Sequence, residues 1–181
     1  MMKKLLFNIF LLLGIVFLGS SCSNSAYDED NFYPSRYHKI MLFKESGKQT
    51  LNLTTSQVDY QDTMVILKSG SNPMLRADIS FYVLTQATVN SAYNEVEGMD
   101  YRVIPQDCYK FNNGSEMKFE SGEIGKYLIM TIYADKIYTY MQSNKNITSK
   151  TEFVLPVNMV STTDTINVDK GYVFEIINVK L

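Results

Sequence analysis

Tryptophan is absent from the sequence, histidine occurs once and cysteine occurs twice. Transition-metal centres draw mainly on histidine and cysteine, so His38, Cys22 and Cys108 are too few to build a typical one. Cys22 ends the N-terminal leader, which leaves Cys108 as the one thiol in the body of the chain and excludes an internal disulfide. We expect no metal and no cofactor, and we expect Cys108 to be a small buried apolar residue.

The sequence also lacks a basic run, since 17 basic residues are spread among 19 acidic ones. Nucleic acid is therefore not an expected partner. Neither a GxSxG element nor a glycine-rich phosphate loop is present. The carboxylates that could serve a glycoside hydrolase lie beside turns, where solvated acids are ordinary; they are Asp100, Asp107, Glu116 and Glu120. We expect the protein not to be an enzyme.

The first 22 residues have the layout of a bacterial export signal. Lys3 and Lys4 precede an apolar run at residues 5–18, and three small residues then lead to Cys22. The run is shorter than the roughly 20 apolar residues that span a membrane, so residues 1–21 are predicted to be a cleaved signal peptide. A cysteine after small residues resembles the lipobox of bacterial lipoproteins, although a glycine stands where leucine is usual. We expect lipid on Cys22; the alternative is ordinary secretion with a free thiol.

Residues 22–35 are polar, acidic and poor in aliphatic side chains. This composition is typical of a flexible tether. We expect residues 22–35 to form the lipidated N-terminus and tether. Residues 36–181 are then predicted to form one domain, because their number suits a single core.

After residue 36 the sequence consists of short apolar runs separated by turn residues, the pattern of a β-rich protein. Residues 63–68 and 127–133 are apolar on both faces and are predicted as interior strands. Residues 37–43 and 50–54 are predicted to pair as a hairpin. The other predicted strands are residues 77–85, 101–104, 109–111, 117–119, 153–160 and 172–179.

One helix is predicted, at residues 86–97. Val89, Tyr93 and Val96 recur at helical spacing, and Gly98 follows as a stop. We expect the ring of Tyr93 to pack under this helix against a sheet. About seven to nine short strands with one short helix favour an all-β sandwich over an α/β fold.

Two further segments carry specific expectations. Pro156 lacks a backbone N–H, so its strand is expected at a sheet edge or at a bulge. Residues 134–151 are rich in polar side chains and are predicted to be an excursion from the sheets.

Several short motifs occur in an order that resembles one protein family. They are SAYNEVEGMDYRVIPQDCYKF at residues 91–111, KSG at 68–70, FESGE at 119–123, FVLPV at 153–157 and INVDKG at 166–171. The resemblance covers residues 36–181 and is to the N-terminal domain of surface glycan-binding lipoproteins of the Bacteroidota, encoded in polysaccharide-utilisation loci. It implies an immunoglobulin-like β-sandwich. In longer relatives a second, often lectin-like domain follows and reads the glycan.

The resemblance also implies a function and a location. The expected function is that of a non-catalytic outer-membrane lipoprotein, an accessory or glycan-binding component of a polysaccharide-utilisation system. It would be exposed at the cell surface, and Asp28-Glu29-Asp30 resembles the acidic cluster of exported surface lipoproteins. Expected partners are the membrane, through the lipid, and oligosaccharide or neighbouring surface lipoproteins. A structural or adhesive, pilus-like subunit stays open as the alternative.

The best local match to a sugar site is the segment IYTYMQSNKN at residues 137–146. Sugars pack their C–H faces on aromatic rings while amides and carboxylates bind the hydroxyls. In an extended chain Tyr138 and Tyr140 share one side, with Gln142 and Asn144 as hydrogen-bonding groups. The alternative interpretation is that both rings belong to the core.

Two Asp-Thr-aliphatic triplets resemble the O-glycosylation acceptor motif of Bacteroides-type exported proteins. Their acceptor residues are Thr63 and Thr165. Chance gives about one such triplet in a chain of this composition, so both are modest predictions.

Overall fold

Two β-sheets packed face to face form the part of the chain described by the structure, residues 35–181 of a computed structural model. The predicted signal peptide and Cys22 lie outside the described residues, as does the tether apart from Ser35. Within the described residues no helix is long and apolar enough to cross a membrane. The predicted all-β sandwich is confirmed.

The described residues contain eleven strands, more than the seven to nine predicted. They are β1 (Ile40–Phe43), β2 (Gly47–Thr54), β3 (Tyr60–Ser69), β4 (Ala77–Val83), β5 (Asp100–Val103), β6 (Tyr109–Phe111), β7 (Glu116–Phe119), β8 (Gly125–Ile132), β9 (Thr151–Val160), β10 (Thr165–Ile166) and β11 (Tyr172–Lys180). Sheet A has the order β10-β1-β3-β8-β6, and sheet B has the order β2-β11-β9-β4-β7 with β5 also paired to β9. β3 and β8 are interior strands, as predicted.

The core lies between the inner faces of the two sheets. Alternate residues of the central strands point into it, which is the pattern expected of a sandwich. Fully buried side chains include Met41, Phe43, Ile66, Leu128, Met130, Leu155 and Val157. Each large apolar side chain contributes roughly 1.5–3 kcal/mol by burial. Because no disulfide joins the described residues, this packing is the main source of their stability.

Cys108 belongs to this core, as predicted. Burial, with a smaller contribution from the neighbouring Asp107 carboxylate, raises the pKa of its thiol to about 11. The thiolate is the reactive form of cysteine, so Cys108 is chemically inert at neutral pH.

Helix α1 covers part of the outer face of sheet B and contains a π turn. It is α-helical at Gln86–Val89 and Glu95–Glu97, with the π turn at Asn90–Asn94 between them. The wide turn rotates the residues after it, so Val96 is 76% exposed. The expectation that Val96 lies on the buried stripe was therefore wrong.

Tyr93 lies under α1 against sheet B, as predicted. Its ring centroid is 4.6 Å from that of Phe174 on β11. Tyr101 of β5 packs edge-on against the same Phe174 ring. These rings form a second, smaller core outside the sandwich, together with the fully buried Val89 and Val154.

Amide side chains of α1 bind the free edge of β5. Asn94 accepts a hydrogen bond from the Tyr101 backbone N–H at 2.7 Å and donates to the Tyr101 carbonyl at 3.1 Å. Gln86 accepts from the Val103 N–H at 2.7 Å and also donates to the Tyr101 carbonyl. The helix thereby satisfies backbone groups that another strand would otherwise pair.

The prediction that residues 134–151 are a polar excursion was wrong for their first half. Ala134–Ser143 forms helix α2, and its Ala134 and Ile137 side chains are fully buried in the main core. Because this short helix has few apolar residues, its helical periodicity was not recognised in the sequence.

The predicted hairpin of residues 37–43 and 50–54 was also wrong. β1 pairs with β3 and β10 in sheet A, whereas β2 pairs in parallel with β11 in sheet B. The two strands are consecutive in the sequence but cross between layers, as is common in sandwiches.

Pro156 lies in the interior strand β9, contrary to the expectation of an edge or a bulge. β9 pairs with β5 through Val154 and with β4 from Val157 onward. The Pro156 carbonyl accepts from Leu84 N–H, just beyond the end of β4. The N–H and C=O of one residue point to the same side of a strand, so the N–H that proline lacks would have pointed toward β5 and β4. Pro156 lies between the part of β9 that pairs with β5 and the part that pairs with β4, where the hydrogen-bond ladder is already interrupted.

Candidate functional site

The four residues predicted to bind sugar all belong to α2 or its C-terminal cap rather than to an extended strand. Residues four apart share a helix face, so Tyr138 and Gln142 lie on one face, and Tyr140 and Asn144 lie on another. The premise that both tyrosines share one side was therefore wrong. Their role in sugar binding stays a prediction.

Two of these four residues have packing roles. The Tyr140 ring stacks edge-on against Phe153, with 5.7 Å between centroids. The Asn144 side chain donates to the Tyr140 carbonyl at 2.9 Å and accepts from Arg102. A cleft of about 360 Å³ lies beside Met141, but none of the four residues lines it.

The two predicted O-glycosylation residues differ in access. Thr63 is exposed on β3, whereas Thr165 is half-buried and its hydroxyl donates to the Arg36 carbonyl. The aspartates before them are structural: Asp62 faces the sandwich interior, and Asp164 pairs with Lys39 at 2.5 Å. Of the two predicted sites, Thr63 is the accessible one.

Asp62 and Glu175 meet between the sheets. Asp62 Oδ2 and Glu175 Oε2 are buried and accept no hydrogen bond from another described group, so a proton on one carboxyl would join the pair. Burial first, and then the neighbouring Asp62, raises the pKa of Glu175 to about 9, and burial also raises the pKa of Asp62. Glu175 is only 4% exposed, and both residues line a narrow opening of about 120 Å³.

The outer face of sheet B carries the most promising surface for a ligand. Tyr82 of β4, Asn158 of β9 and Tyr172 of β11 lie opposite one another across three neighbouring strands. We call these three residues the tyrosine row. Tyr82 is 46% exposed, while Tyr172 and Asn158 are half-buried. Tyr172 also packs against the small core under α1, so Tyr82 is the exposed ring of the row.

One atom of the Asn158 side-chain amide lacks a hydrogen-bond partner. Its Oδ1 atom is buried, and no group among the described residues hydrogen-bonds to it. A buried acceptor without a partner costs about 1–3 kcal/mol, so such atoms are few in folded proteins and need an explanation.

A polar cleft of about 230 Å³ adjoins the tyrosine row. Ser80 and Val160, two residues along their strands from Tyr82 and Asn158, form its near wall. The other lining residues that carry polar side chains are Asp78, Glu116, Lys118, Ser161 and Thr162. The row and the cleft together present aromatic rings, hydroxyl groups, carboxylates and one ammonium group on one face.

The outer face of sheet A has a different character. Val65 lies opposite Tyr127, and Leu67 lies opposite Leu42. Tyr127 is 62% exposed, and the other three are half-buried. We call these residues, with Ile129, the apolar face. It offers little that could bind hydroxyl groups.

Sequence reasoning missed the tyrosine row because its members come from three distant segments. Ile79 and Phe81 are buried on the inner face of β4, and strand alternation places Tyr82 on the outer face. The neighbours of Tyr82 depend on the register of β4, β9 and β11, and the sequence does not give that register.

The family model that matches is described as a "-like, N-terminal domain", and it matches residues 31–166. The chain belongs to this family. This match agrees with the resemblance of the motifs to the N-terminal, immunoglobulin-like domain of Bacteroidota surface glycan-binding lipoproteins. No curated protein matches the chain.

Solved structures share the fold of this family member. A Bacteroides ovatus protein with a proposed carbohydrate-binding role matches with a TM-score of 0.59 at 14% identity, over 78% of this chain and 37% of its own. A B. ovatus protein of unknown function matches with a TM-score of 0.56 at 14% identity, over 81% and 46%. A two-domain Bacteroides fragilis protein of unknown function matches with a TM-score of 0.51 at 9% identity, over 89% and 51%. The chain thus spans about half or less of each structure, and at these identities the likeness shows the fold alone.

The family motifs meet one another inside the fold. Lys68 of KSG is 3% exposed, and its ammonium group donates to the Glu120 carbonyl of FESGE at 3.2 Å. Gly70 has a φ of 115°, and a Cβ there would lie 2.5 Å from the carbonyl oxygens of Tyr37 and His38. These motif residues therefore maintain the fold.

Proposed function

We propose that the protein is a non-catalytic, lipid-anchored surface protein of the outer membrane that binds oligosaccharide as part of a polysaccharide-utilisation system. The observation that carries the proposal is the tyrosine row beside the polar cleft. Protein sites for sugars combine exposed aromatic rings with a few hydroxyl-binding groups, and this face of the described domain has both.

The anchor in this proposal is a lipid on Cys22, and the tether of residues 22–35 holds the domain away from the membrane. The leader motif of residues 1–21 supports it. A carbohydrate-binding role has also been proposed for a fold neighbour, the first B. ovatus protein, which is consistent with this assignment.

The non-catalytic part of the proposal rests on the carboxylates. Burial and the neighbouring Asp62 raise the pKa of Glu175 to about 9, so its carboxyl group is protonated at neutral pH. Asp100 is hydrogen-bonded by Arg102 and Thr151, which hold its pKa below the usual range. Glu120 pairs with Arg76 at 2.9 Å. A glycosidase needs two carboxylates facing one substrate, and none of these three contacts supplies that arrangement. Asp78 and Glu116 do line the polar cleft together, so the screen below also measures hydrolysis.

The experiment is a binding screen of purified protein carrying Cys22→Ser against a panel of neutral plant and host oligosaccharides. The proposal expects at least one glycan to bind at a single site with no hydrolysis product. A panel without any binder, or release of reducing ends, contradicts it.

A second candidate function is a structural or adhesive subunit, and the apolar face of sheet A favours it. Exposed contiguous apolar surface usually marks contact with another protein. On this account a neighbouring surface lipoprotein covers Tyr127 and Val65. Cross-linking on intact cells tests it: a Cys placed at Tyr127 should then react with a partner, whereas a Cys placed at Tyr82 should not.

A further inference from the structure

We infer that the polar cleft on the outer face of sheet B binds one neutral sugar unit, the unit that ends an oligosaccharide chain. The Tyr82 ring packs against this terminal unit, and the remainder of the chain extends into solvent. This inference rests on the proposed function and specifies which part of the glycan is bound.

The cleft owes its shape to one small side chain between longer ones. Ser80 of β4 lies opposite Glu116 of β7 on one side and Val160 of β9 on the other. These three residues line the cleft, together with Asp78 and Lys118, which lie opposite each other. Glu116 and Val160 are exposed and Ser80 is half-buried. The short Ser80 side chain therefore leaves a depression that a ligand can enter from solvent.

The volume of the cleft limits the size of the bound group. It is about 230 Å³, below the roughly 300–1,000 Å³ of sites that enclose a drug-sized ligand. A single pyranose unit is smaller than such a ligand, whereas several consecutive units together exceed the space. We therefore expect the cleft to hold one sugar unit.

Tyr82 supplies the aromatic contact for this unit. It follows Ser80 by two residues on the same face of β4, so the two residues are about 7 Å apart. Tyr82 is 46% exposed, and side chains stand roughly perpendicular to a sheet, so its ring rises beside the cleft. A sugar unit above Ser80 can pack its C–H face on this ring.

The side chains around Ser80 favour a chain end over an internal sugar unit. Tyr82 stands next to Ser80 along the strand, while Glu116 and Val160 stand on the two neighbouring strands. An internal unit is linked to the chain at two positions and needs two open paths out of the cleft. A terminal unit has a single linkage, which can point toward solvent.

The charged groups of the cleft are available to bind hydroxyl groups. Within residues 35–181, no ion pair or hydrogen bond involves the side-chain charges of Asp78, Glu116 or Lys118. A carboxylate accepts several hydrogen bonds, so Glu116 can bind two adjacent hydroxyl groups of one sugar. Two carboxylates against one ammonium group repel uronic acids and sulfated sugars, so a neutral unit is favoured.

The other clefts fit a sugar unit less well. The cleft beside Met141 is larger, but its aromatic member Phe153 is buried and offers no ring to solvent. The opening near Asp62 and Glu175 holds about 120 Å³ and is acidic, with no aromatic residue in its lining.

The first test is isothermal titration of the Cys22→Ser protein with a glycan that binds in the screen, supplied as its disaccharide, trisaccharide and tetrasaccharide. Because one unit makes the contacts, we expect the three affinities to agree within about threefold. The two chain ends are then blocked in turn, the reducing end by reduction to the alditol and the other end by an acetal on its terminal unit. One of these two changes should lower affinity at least about tenfold.

The second test changes the cleft itself. Ser80→Leu fills the depression, and Glu116→Gln removes the carboxylate that binds hydroxyl groups; each should lower affinity about fivefold or more. Glu116 is exposed, so Glu116→Gln keeps the inference testable even if Ser80→Leu does not fold. Asp59→Asn, at an exposed carboxylate outside the cleft, is the matched control and should bind like the unsubstituted protein.

The outcomes separate this inference from the proposed function. If a glycan binds but neither blocked end weakens it, or if Glu116→Gln binds as tightly as Asp59→Asn, the terminal-unit inference is overturned while oligosaccharide binding stands. If no oligosaccharide of the panel binds, the proposed function itself is overturned. Equal melting temperatures for the variants show that each comparison is between folded proteins.

Discussion

The side chain of Asn94 pairs with the backbone of Tyr101 as a neighbouring strand would. It accepts from the Tyr101 N–H at 2.7 Å and donates to the Tyr101 carbonyl at 3.1 Å. The π turn of α1 sets this geometry together with the contact of Tyr93 on Phe174. Tyr93 and Asn94, which are adjacent in the family motif, therefore have different roles. Tyr93 packs the helix on the sheet, and Asn94 hydrogen-bonds the backbone at the edge of β5.

Replacing Asn94 with alanine should destabilise the fold by about 2 kcal/mol. The Tyr101 carbonyl keeps its bond from Gln86, but the part-buried Tyr101 N–H loses its acceptor. Urea unfolding measures the effect. Ser91→Ala, on the exposed side of the same helix, is the control and should change stability by less than about 0.5 kcal/mol. Equal effects of the two substitutions would show that the edge contact is unimportant.

Truncation of Tyr93 to alanine should cost about 3 kcal/mol. This is the lower end of the range for large aromatic side chains, because Tyr93 is half-buried against Phe174 rather than enclosed. The control is Val96→Ala, since Val96 is 76% exposed and should tolerate the change. Chemical denaturation of both variants provides the measurement, and a loss under about 1 kcal/mol for Tyr93→Ala contradicts the packing role.

Glu175 should make stability depend on pH over an unusual range. Its pKa is raised to about 9 in the folded protein from an ordinary value of 4.5. The folded state therefore keeps a proton that the unfolded state loses above about pH 4.5. The contribution of Glu175 to the free energy of unfolding is fully present below that pH. It declines as pH rises and is lost above about pH 9.

Glu175→Gln isolates the effect, because the amide can still donate to Asp62 but does not titrate. We expect the unfolding free energy of the unsubstituted protein, relative to that of Glu175→Gln, to fall between about pH 5 and pH 9. The difference between the two proteins cancels other titrating groups that behave alike in both. If the difference in unfolding free energy between the two proteins stays constant over this range, Glu175 does not keep its proton in the folded state.

Cys22→Ser should release the mature protein from membranes into the soluble fraction. A single acyl chain gives only marginal anchoring, whereas the several chains of a bacterial lipoprotein hold it stably. Detergent phase partitioning measures the change, with Cys108→Ser as the control that should remain membrane-bound. Retention of signal-cleaved Cys22→Ser protein on the membrane contradicts the lipid anchor.

Local pattern was enough to predict the fold class, the interior strands β3 and β8, and the helix that carries Tyr93. These signals depend on alternation and turn residues within a few positions. The predicted hairpin of residues 37–43 and 50–54 and the predicted edge or bulge position of Pro156 were wrong, because strand pairing depends on partners far away in the sequence. The helix α2 was missed, since only part of one face is apolar.

The candidate site was less predictable for the same reason. Tyr138 and Tyr140 were chosen because they are near each other in sequence, and α2 places them on different faces. Tyr82, Asn158 and Tyr172 become neighbours only through strand register. A binding surface built across strands leaves no contiguous motif.

The central claim is that oligosaccharide binds at the tyrosine row, and Tyr82→Ala tests it most directly. Tyr82 is exposed enough to be replaced with little effect on folding, and so is Tyr127 on the other sheet. Calorimetric titration with the best glycan from the panel should show affinity reduced at least about tenfold by Tyr82→Ala and unchanged by Tyr127→Ala, since loss of a central aromatic contact commonly costs that much. Undiminished binding by Tyr82→Ala, with both melting temperatures unchanged, would contradict the account.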